Sequence, residues 1–448
     1  MMRCLAATVL LVSCTSTEAQ PETVVPANTS LSIVHINTRG ERVDPDGEFD
    51  KPWFDVDLSL ISATDGTASV EDLPDLTTNA AIRLRGNSSL QYAKKQFALE
   101  TRDAANEDVD IAPFGLPAEE DWILHAPYSD KSLMRNHLMF GWSRAIGRYA
   151  PRTVFVELYL QDGATSQADD YRGVYLWVEK IKRDDERVNI DKLDENDDSL
   201  PEISGGYLLR RDWVEPEDAA FVTARYGDAL RIESPKQEDL TDVQHDYLLG
   251  YLNDFEDALA LGDGSYTTFI DVDSFVDHLL MMELSRNVDA YVLSTYMHKP
   301  RDGKLFMGPV WDFNGSLGNA DYFDAWQVEG WHYNNPEFPA DNPNGFRWYE
   351  KLLEDTAFQG RISERWAEHR AGAWSDTQLL ADIDTTEASL EMSAARNFER
   401  WPVLGEYVWP NDEGAEDRTT YAEEVSYLGD WVTRRAAWMD SRLDGSRQ

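Results

Sequence analysis

Cysteine is almost absent from this chain. Its 448 residues include two, Cys4 and Cys14, both at the extreme amino terminus. The body therefore has no disulfide partner and no thiol nucleophile, so a packed core must supply its stability. Positive charge is also scarce, with 41 Lys and Arg against 83 Asp and Glu and a net charge of -42. Such a chain repels a phosphate backbone, which excludes nucleic acid as a partner. The eight His are scattered. They form no His-Glu-x-x-His zinc helix, and no Gly-x-Ser-x-Gly elbow is present. The acidity is read as a solubilising surface, screened in salty water. Any site for an anion must then bring its own Lys and Arg, which makes local basic clusters informative.

Met1-Met2-Arg3 precedes a short apolar run from Leu5 to Val12. Crossing a bilayer takes about 20 apolar residues, so residues 1–13 are expected to be a signal peptide. Leu11-Val12-Ser13-Cys14 resembles a bacterial lipobox. That resemblance implies cleavage before Cys14, a lipid anchor on its sulfur and a place in the bacterial cell envelope. The alternative is ordinary secretory cleavage near Ala19. Residues 14–30, rich in Thr, Ser, Pro and Glu, are expected to be a flexible tether.

The remainder carries 15 Trp, 19 Tyr and 17 Phe, enough for a large core. Its first part reads as strands. Phe54, Val56, Leu58 and Leu60 alternate with polar residues, as do Ile82 and Leu84 with Arg83 and Arg85. The runs 154–160 and 171–178 flank a polar turn and predict a hairpin. Further strands are expected at 206–209 and 230–232, and one helix from Asp130 to Ile146, capped by Asp130 or Ser132. The second part reads as helices, beginning with the capping-box pattern Thr241-Asp242-Val243-Gln244. More are expected over 275–284, 346–371, 377–398 and 418–443. The fold class is thus α+β, with a β-rich lobe over 31–235 and a helical lobe over 236–448.

Four clusters could carry chemistry. Arg85-Gly86-Asn87-Ser88-Ser89, continuing to Lys94-Lys95, suits a turn whose backbone cradles phosphate while a lysine reaches it. A plain exposed hairpin is the alternative. Tyr128-Ser129-Asp130-Lys131 with Arg135-Asn136 fits a basic helix start. Tyr171-Arg172-Gly173-Val174-Tyr175 leads to Glu179-Lys180-Ile181, where Glu179 could pair with a lysine of the first cluster. Asn287-Val288-Asp289 and Pro309-Val310-Trp311-Asp312-Phe313-Asn314 place two carboxylates after a helix and a short strand. One suits proton transfer and the other a divalent metal on phosphates. Asn287, Asn314 and Asn319 add neutral oxygens, which suit Mg²⁺. Caps and turns are the alternative use for such residues.

In this order the four segments resemble the CotH kinase family, the spore coat protein H-like atypical protein kinases. The resemblance covers roughly residues 80–325. It implies a two-lobed kinase-like fold, ATP, Mg²⁺ or Mn²⁺, and phosphorylation of protein Ser or Thr. Carried over, Asp289 is the catalytic Asp, and Asp312 with Asn314 the metal side. Arg85, Asn87, Ser88, Glu179 and Lys95, or else Lys94, are nucleotide-binding. Many members have a second acidic residue where this chain has Asn314, and protein kinases use Asn where it has Ser294. Weaker metal binding is expected, and a silent kinase-fold surface module is the second reading. A surface glycan hydrolase is a third, because 83 acidic residues leave a carboxylate pair open.

Overall fold

A computed structural model describes residues 28–43, 51–64, 66–163, 170–212, 221–335 and 347–443. The expected signal peptide, Cys14 and most of the tether lie outside these residues. Fourteen strands run in chain order as β1 (Asn28–Thr29), β2 (Ser32–Asn37), β3 (Phe54–Ile61), β4 (Ala68–Ser69), β5 (Leu76–Arg85), β6 (Gln96–Arg102) and β7 (Asp121–His125). Then come β8 (Thr153–Gln161), β9 (Tyr171–Glu179), β10 (Tyr207–Arg211), β11 (Phe221–Val222), β12 (Ala229–Ser234), β13 (Thr295–Lys299) and β14 (Phe306–Met307).

Seven strands close a barrel in the order β2-β3-β5-β6-β7-β9-β8. Closure comes from β2 lying parallel to β8, with Val34 opposite Leu158. The alternation read in β3 and β5 turns Val56, Leu58, Ile82 and Leu84 into one buried cluster with Trp122 and Trp177. The same alternation turns Arg83 and Arg85 outward. The expected hairpin is present as the antiparallel pair β8–β9.

A second sheet runs β11-β12-β10-β13-β14. It mixes strands from either side of residue 235, because β13 pairs with β10. The helix Val272–Ser285 is buried from Ser274 onward on every side, its Asp277, His278 and Glu283 included. The helix Asp376–Arg400 returns to the barrel. There Gly173 lies so close that a Cβ would meet Asn397 Oδ1 at 2.5 Å.

Two expected helices differ in their bounds. The first begins at Arg135, not Asp130. The Asp130 carboxylate instead accepts from Ser132 N at 3.1 Å and Arg135 N at 2.8 Å, which holds the intervening turn off the helix. The stretch 346–371 is broken into Arg347–Leu352 and Thr356–Arg370. Asp355 caps the second by accepting from Ala357 N at 2.8 Å.

Candidate functional site: a carboxylate pair beside a cationic cleft

The helix Val272–Ser285 stops at Arg286, which takes a left-handed conformation and turns the chain into the first acidic segment. Asn287 then ties the two segments together. Its Oδ1 accepts from Asp289 N at 3.1 Å, and its Nδ2 donates to Asp312 O at 2.7 Å. Asp312 has φ 62°, and Arg286, Tyr291 and Ser294 nearby in sequence are also at positive φ. Such strained residues persist where surrounding contacts over-determine them, and they gather at functional sites.

The Asp289 carboxyl is pushed up to about 8, first by burial and then by the charges of Asp312 and Asp212. Asp312 also rises, mainly by burial, while Arg85 and a hydrogen bond from Asn314 oppose the shift. Asp312 and Asp212 both raise Asp289, and Asp212 also raises Asp312, a mutual repulsion that a hard divalent cation would relieve. Asp289 and Asp312 thus fit such an ion by their chemistry.

Trp311, next to Asp312 in sequence, lines a cleft of about 350 Å³ between barrel and second sheet. Lys51, Arg83, Arg85, Lys180 and Arg210 line it. Arg210 is matched by Glu233 at 2.7 Å and Asp212 at 3.2 Å, and Lys180 by Asp121 at 3.0 Å. Arg83 and Arg85 have no carboxylate within ion-pair distance among the described residues. Each stacks on an indole instead, Arg83 on Trp53 at 4.5 Å and Arg85 on Trp311 at 5.1 Å. Two unmatched guanidinium groups over aromatic faces, in a chain of net charge -42, form a binding surface for a planar, anionic ligand.

Asparagines brace the acidic segment from below. Asn136 Oδ1 accepts from Phe313 N at 2.7 Å, and its Nδ2 donates to Asn314 Oδ1 at 3.0 Å and to His125 Nε2 at 3.1 Å. Burial drops His125 to about 3, so it is neutral, and its Nδ1 reaches Gln96 Oε1 at 3.0 Å. Asn319 donates to Asn314 O at 2.7 Å and accepts from Asn411 at 2.9 Å. Arg135, fully buried, pairs with Asp130 at 2.5 Å and donates to Ser316 O at 3.0 Å. The oxygens of Asn287, Asn314 and Asn319 that the sequence offered as ligands are therefore all engaged within the protein.

Other expected site residues are placed differently. Lys95 Nζ turns back to Leu90 O at 2.7 Å. Lys94 is buried against the returning helix, with its Nζ on Asn397 Oδ1 at 2.8 Å and over the Tyr175 ring at 4.9 Å. Neither lines the cleft. Glu179 does not pair with either lysine. Its carboxylate takes Arg152 Nε and Arg152 N, each at 2.8 Å. Asn87 and Ser88 are exposed on the turn after β5, where Gly86 is required because a Cβ would strike Ser89 Oγ at 2.0 Å. Lys51 Nζ donates to Gly86 O at 2.6 Å and fixes that turn at the cleft rim.

Two further clusters lie outside this site. Asp110, Glu119 and Glu120 bring carboxylate oxygens within 4.8 Å of one another. Lys182 Nζ already bridges Glu119 at 2.8 Å and Glu120 at 2.6 Å. A cavity of about 230 Å³ is lined by Asp277, His278 and His298. Its carboxylate is neutralised by Arg148 at 2.7 Å and Arg365 at 2.8 Å.

Sequence reasoning missed Arg210 and Asp212, and it gave Trp311 and Asn136 no role of their own within their clusters. Arg210 follows a strand that was read as ending at Leu209. Period-2 continuation would have placed it on the polar face. The role of Asn136 carries no such signal, because Phe313 and Asn314, the partners it braces, lie 177 and 178 residues away.

Barrel, antiparallel second sheet and guanidinium-lined cleft near the Asp289 and Asp312 segments define an α+β protein with a candidate anion site. The chain belongs to the CotH kinase protein family, whose model matches residues 82–439. That span contains Arg83, Arg85, Asp212, Asp289 and Asp312. Comparison with curated proteins returned no match.

Proposed function

We propose that this chain is an atypical protein kinase of the cell envelope that transfers the γ-phosphoryl group of ATP to a protein Ser or Thr hydroxyl. The observation that carries the reading is the unmatched Arg83–Arg85 pair in a cleft adjoining Asp289 and Asp312. Trp53 and Trp311 hold the two guanidinium groups in place, and these face the charge that leaves with the phosphates. Held by Asp289 and Asp312, Mg²⁺ or Mn²⁺ would keep both carboxylates ionised and supply charge neutralisation during transfer. Asp289 orients the acceptor hydroxyl and takes its proton as the oxygen–phosphorus bond forms and the bond to ADP breaks. Export and anchoring through a lipid on Cys14 belong to the same proposal.

The test is binding of ATP with Mg²⁺ or Mn²⁺, then transfer of γ-phosphate to an added protein acceptor, in wild type and Asp289→Asn. Metal-dependent binding with transfer lost in the variant is the expected result. Wild-type protein that binds no nucleotide in either metal refutes the proposal.

One observation favours a second reading, a binding module without turnover. The Asn314 oxygen, which could have served as a neutral metal ligand, is already held by Asn136. Nucleotide binding without measurable transfer from any acceptor supports that reading.

A further inference from the structure

The cleft between barrel and second sheet is rich in positive charge and poor in places for a base. β5 carries Arg83 and Arg85 on one face, about 7 Å apart along the strand. Leu84 between them turns into the barrel core. Ala98, opposite Arg83 on β6, adds little bulk to this wall. Burial first, and then Arg83 and Arg85, push the Lys51 ammonium down. Three cations that repel one another are relieved by a polyanion. The aromatic rings of the cleft are Trp53, Trp122, Tyr296 and Trp311, and they are already in use. Trp311 is sandwiched between the Arg85 guanidinium at 5.1 Å and the stacked Phe140 ring at 5.6 Å. Trp122 is buried, with Arg187 over it at 5.0 Å and Trp177 at 5.4 Å. Tyr296 is buried too. Of the four only Trp53 is exposed, and Arg83 lies over it at 4.5 Å. A base stacking on Trp53 or Trp311 from the cleft would unseat a guanidinium that could grip phosphate.

We infer that the cleft recognises a phosphate chain and not a base, so that linear inorganic polyphosphate occupies it as readily as ATP. The inference rests on the reading of this cleft as the site of the phosphoryl donor, and it narrows what that site reads. Two guanidinium groups on one strand offer paired N–H donors to the phosphates of a chain. Each is held on an indole, so little side-chain freedom is lost when the chain binds. A run of phosphates satisfies both groups without a nucleoside.

The test is isothermal titration of the wild-type chain with ATP, inorganic tripolyphosphate and dextran sulfate at one free Mg²⁺ concentration. A stacked base adds roughly five- to a hundredfold to affinity. Tripolyphosphate should therefore bind within about fivefold of ATP. Arg83→Met and Arg85→Met should each weaken both phosphate ligands about tenfold and in parallel. The comparison in wild type needs no variant to fold. ATP that binds more tightly than tripolyphosphate by a wider margin overturns the inference and leaves the kinase reading standing. So does a loss in Arg83→Met confined to ATP. Dextran sulfate that binds as tightly as tripolyphosphate shows a general polyanion surface and overturns the inference as well. Tripolyphosphate bound without ATP supports the inference and refutes ATP as the donor. Wild type that binds neither refutes the donor-site reading itself, a separate outcome.

Discussion

The raised carboxyl of Asp289 should make this protein lose stability as pH rises, and the loss should disappear in Asp289→Asn. In the folded chain the group titrates at about 8, against 3.8 for an ordinary Asp. Between those values the folded state holds a proton that the unfolded state has released. The unfolded state binds fewer protons, so unfolding free energy falls with pH by about 1.4 kcal/mol per unit for one group. The contribution of this group is fully present below about pH 4 and is lost as pH climbs through 8. From pH 5 to pH 7 the ideal loss is ~2.7 kcal/mol, and the partial exposure of Asp289 reduces it to about 2 kcal/mol. The assay is urea unfolding at the two pH values in wild type and Asp289→Asn. The isosteric amide cannot titrate, and it removes the charge that Asp312 feels. Wild type should lose about 2 kcal/mol more than the variant, and saturating Mn²⁺ should abolish the difference. Parallel pH curves for the two proteins without metal would show that the fold does not hold Asp289 protonated, by burial or by the neighbouring carboxylates.

Three further outcomes follow from the geometry. Arg85→Met should weaken ATP binding by tenfold or more, roughly one lost charge-assisted contact, in an isothermal titration with the fold intact by circular dichroism. Lys95→Ala should leave that affinity within about twofold, because its Nζ is spent on Leu90 O and the substitution removes nothing from the cleft. Arg135→Ala should cost about 3–5 kcal/mol in chemical unfolding, because Asp130 is left charged and buried without its partner.

What the sequence revealed depended on distance along the chain. Strand alternation is local, so β3, β5 and the β8–β9 hairpin were legible, and with them the outward-facing Arg85. The Thr241 capping box was legible for the same reason and is present with both of its hydrogen bonds. Asp289 and Asp312 stood out in the sequence because one follows a buried helix and the other a short strand. The fate of Lys95 and Glu179 was not. A lysine on a returning strand has two faces to choose from, and its neighbour in sequence gives no vote. Glu179 was taken by Arg152, a residue whose position depends on how β8 enters the barrel. The asparagine frame was the least legible. Asn136, Asn319 and Asn411 converge only after the barrel, the buried helix and the C-terminal connection have docked. Before that they look like ordinary turn residues.

The parallel contact between β2 and β8 has a practical consequence for where this protein can be cut. The family match begins at residue 82, inside β5, yet β2 and β3 lie before it. A fragment trimmed to the matched span would lack two barrel staves. It would leave one edge of β8 unpaired and expose the apolar interior that Val34, Ile36, Val56 and Leu58 close. Such an edge invites pairing with another copy. Recombinant work on this chain should therefore start no later than residue 28, well upstream of the residues that mark its family.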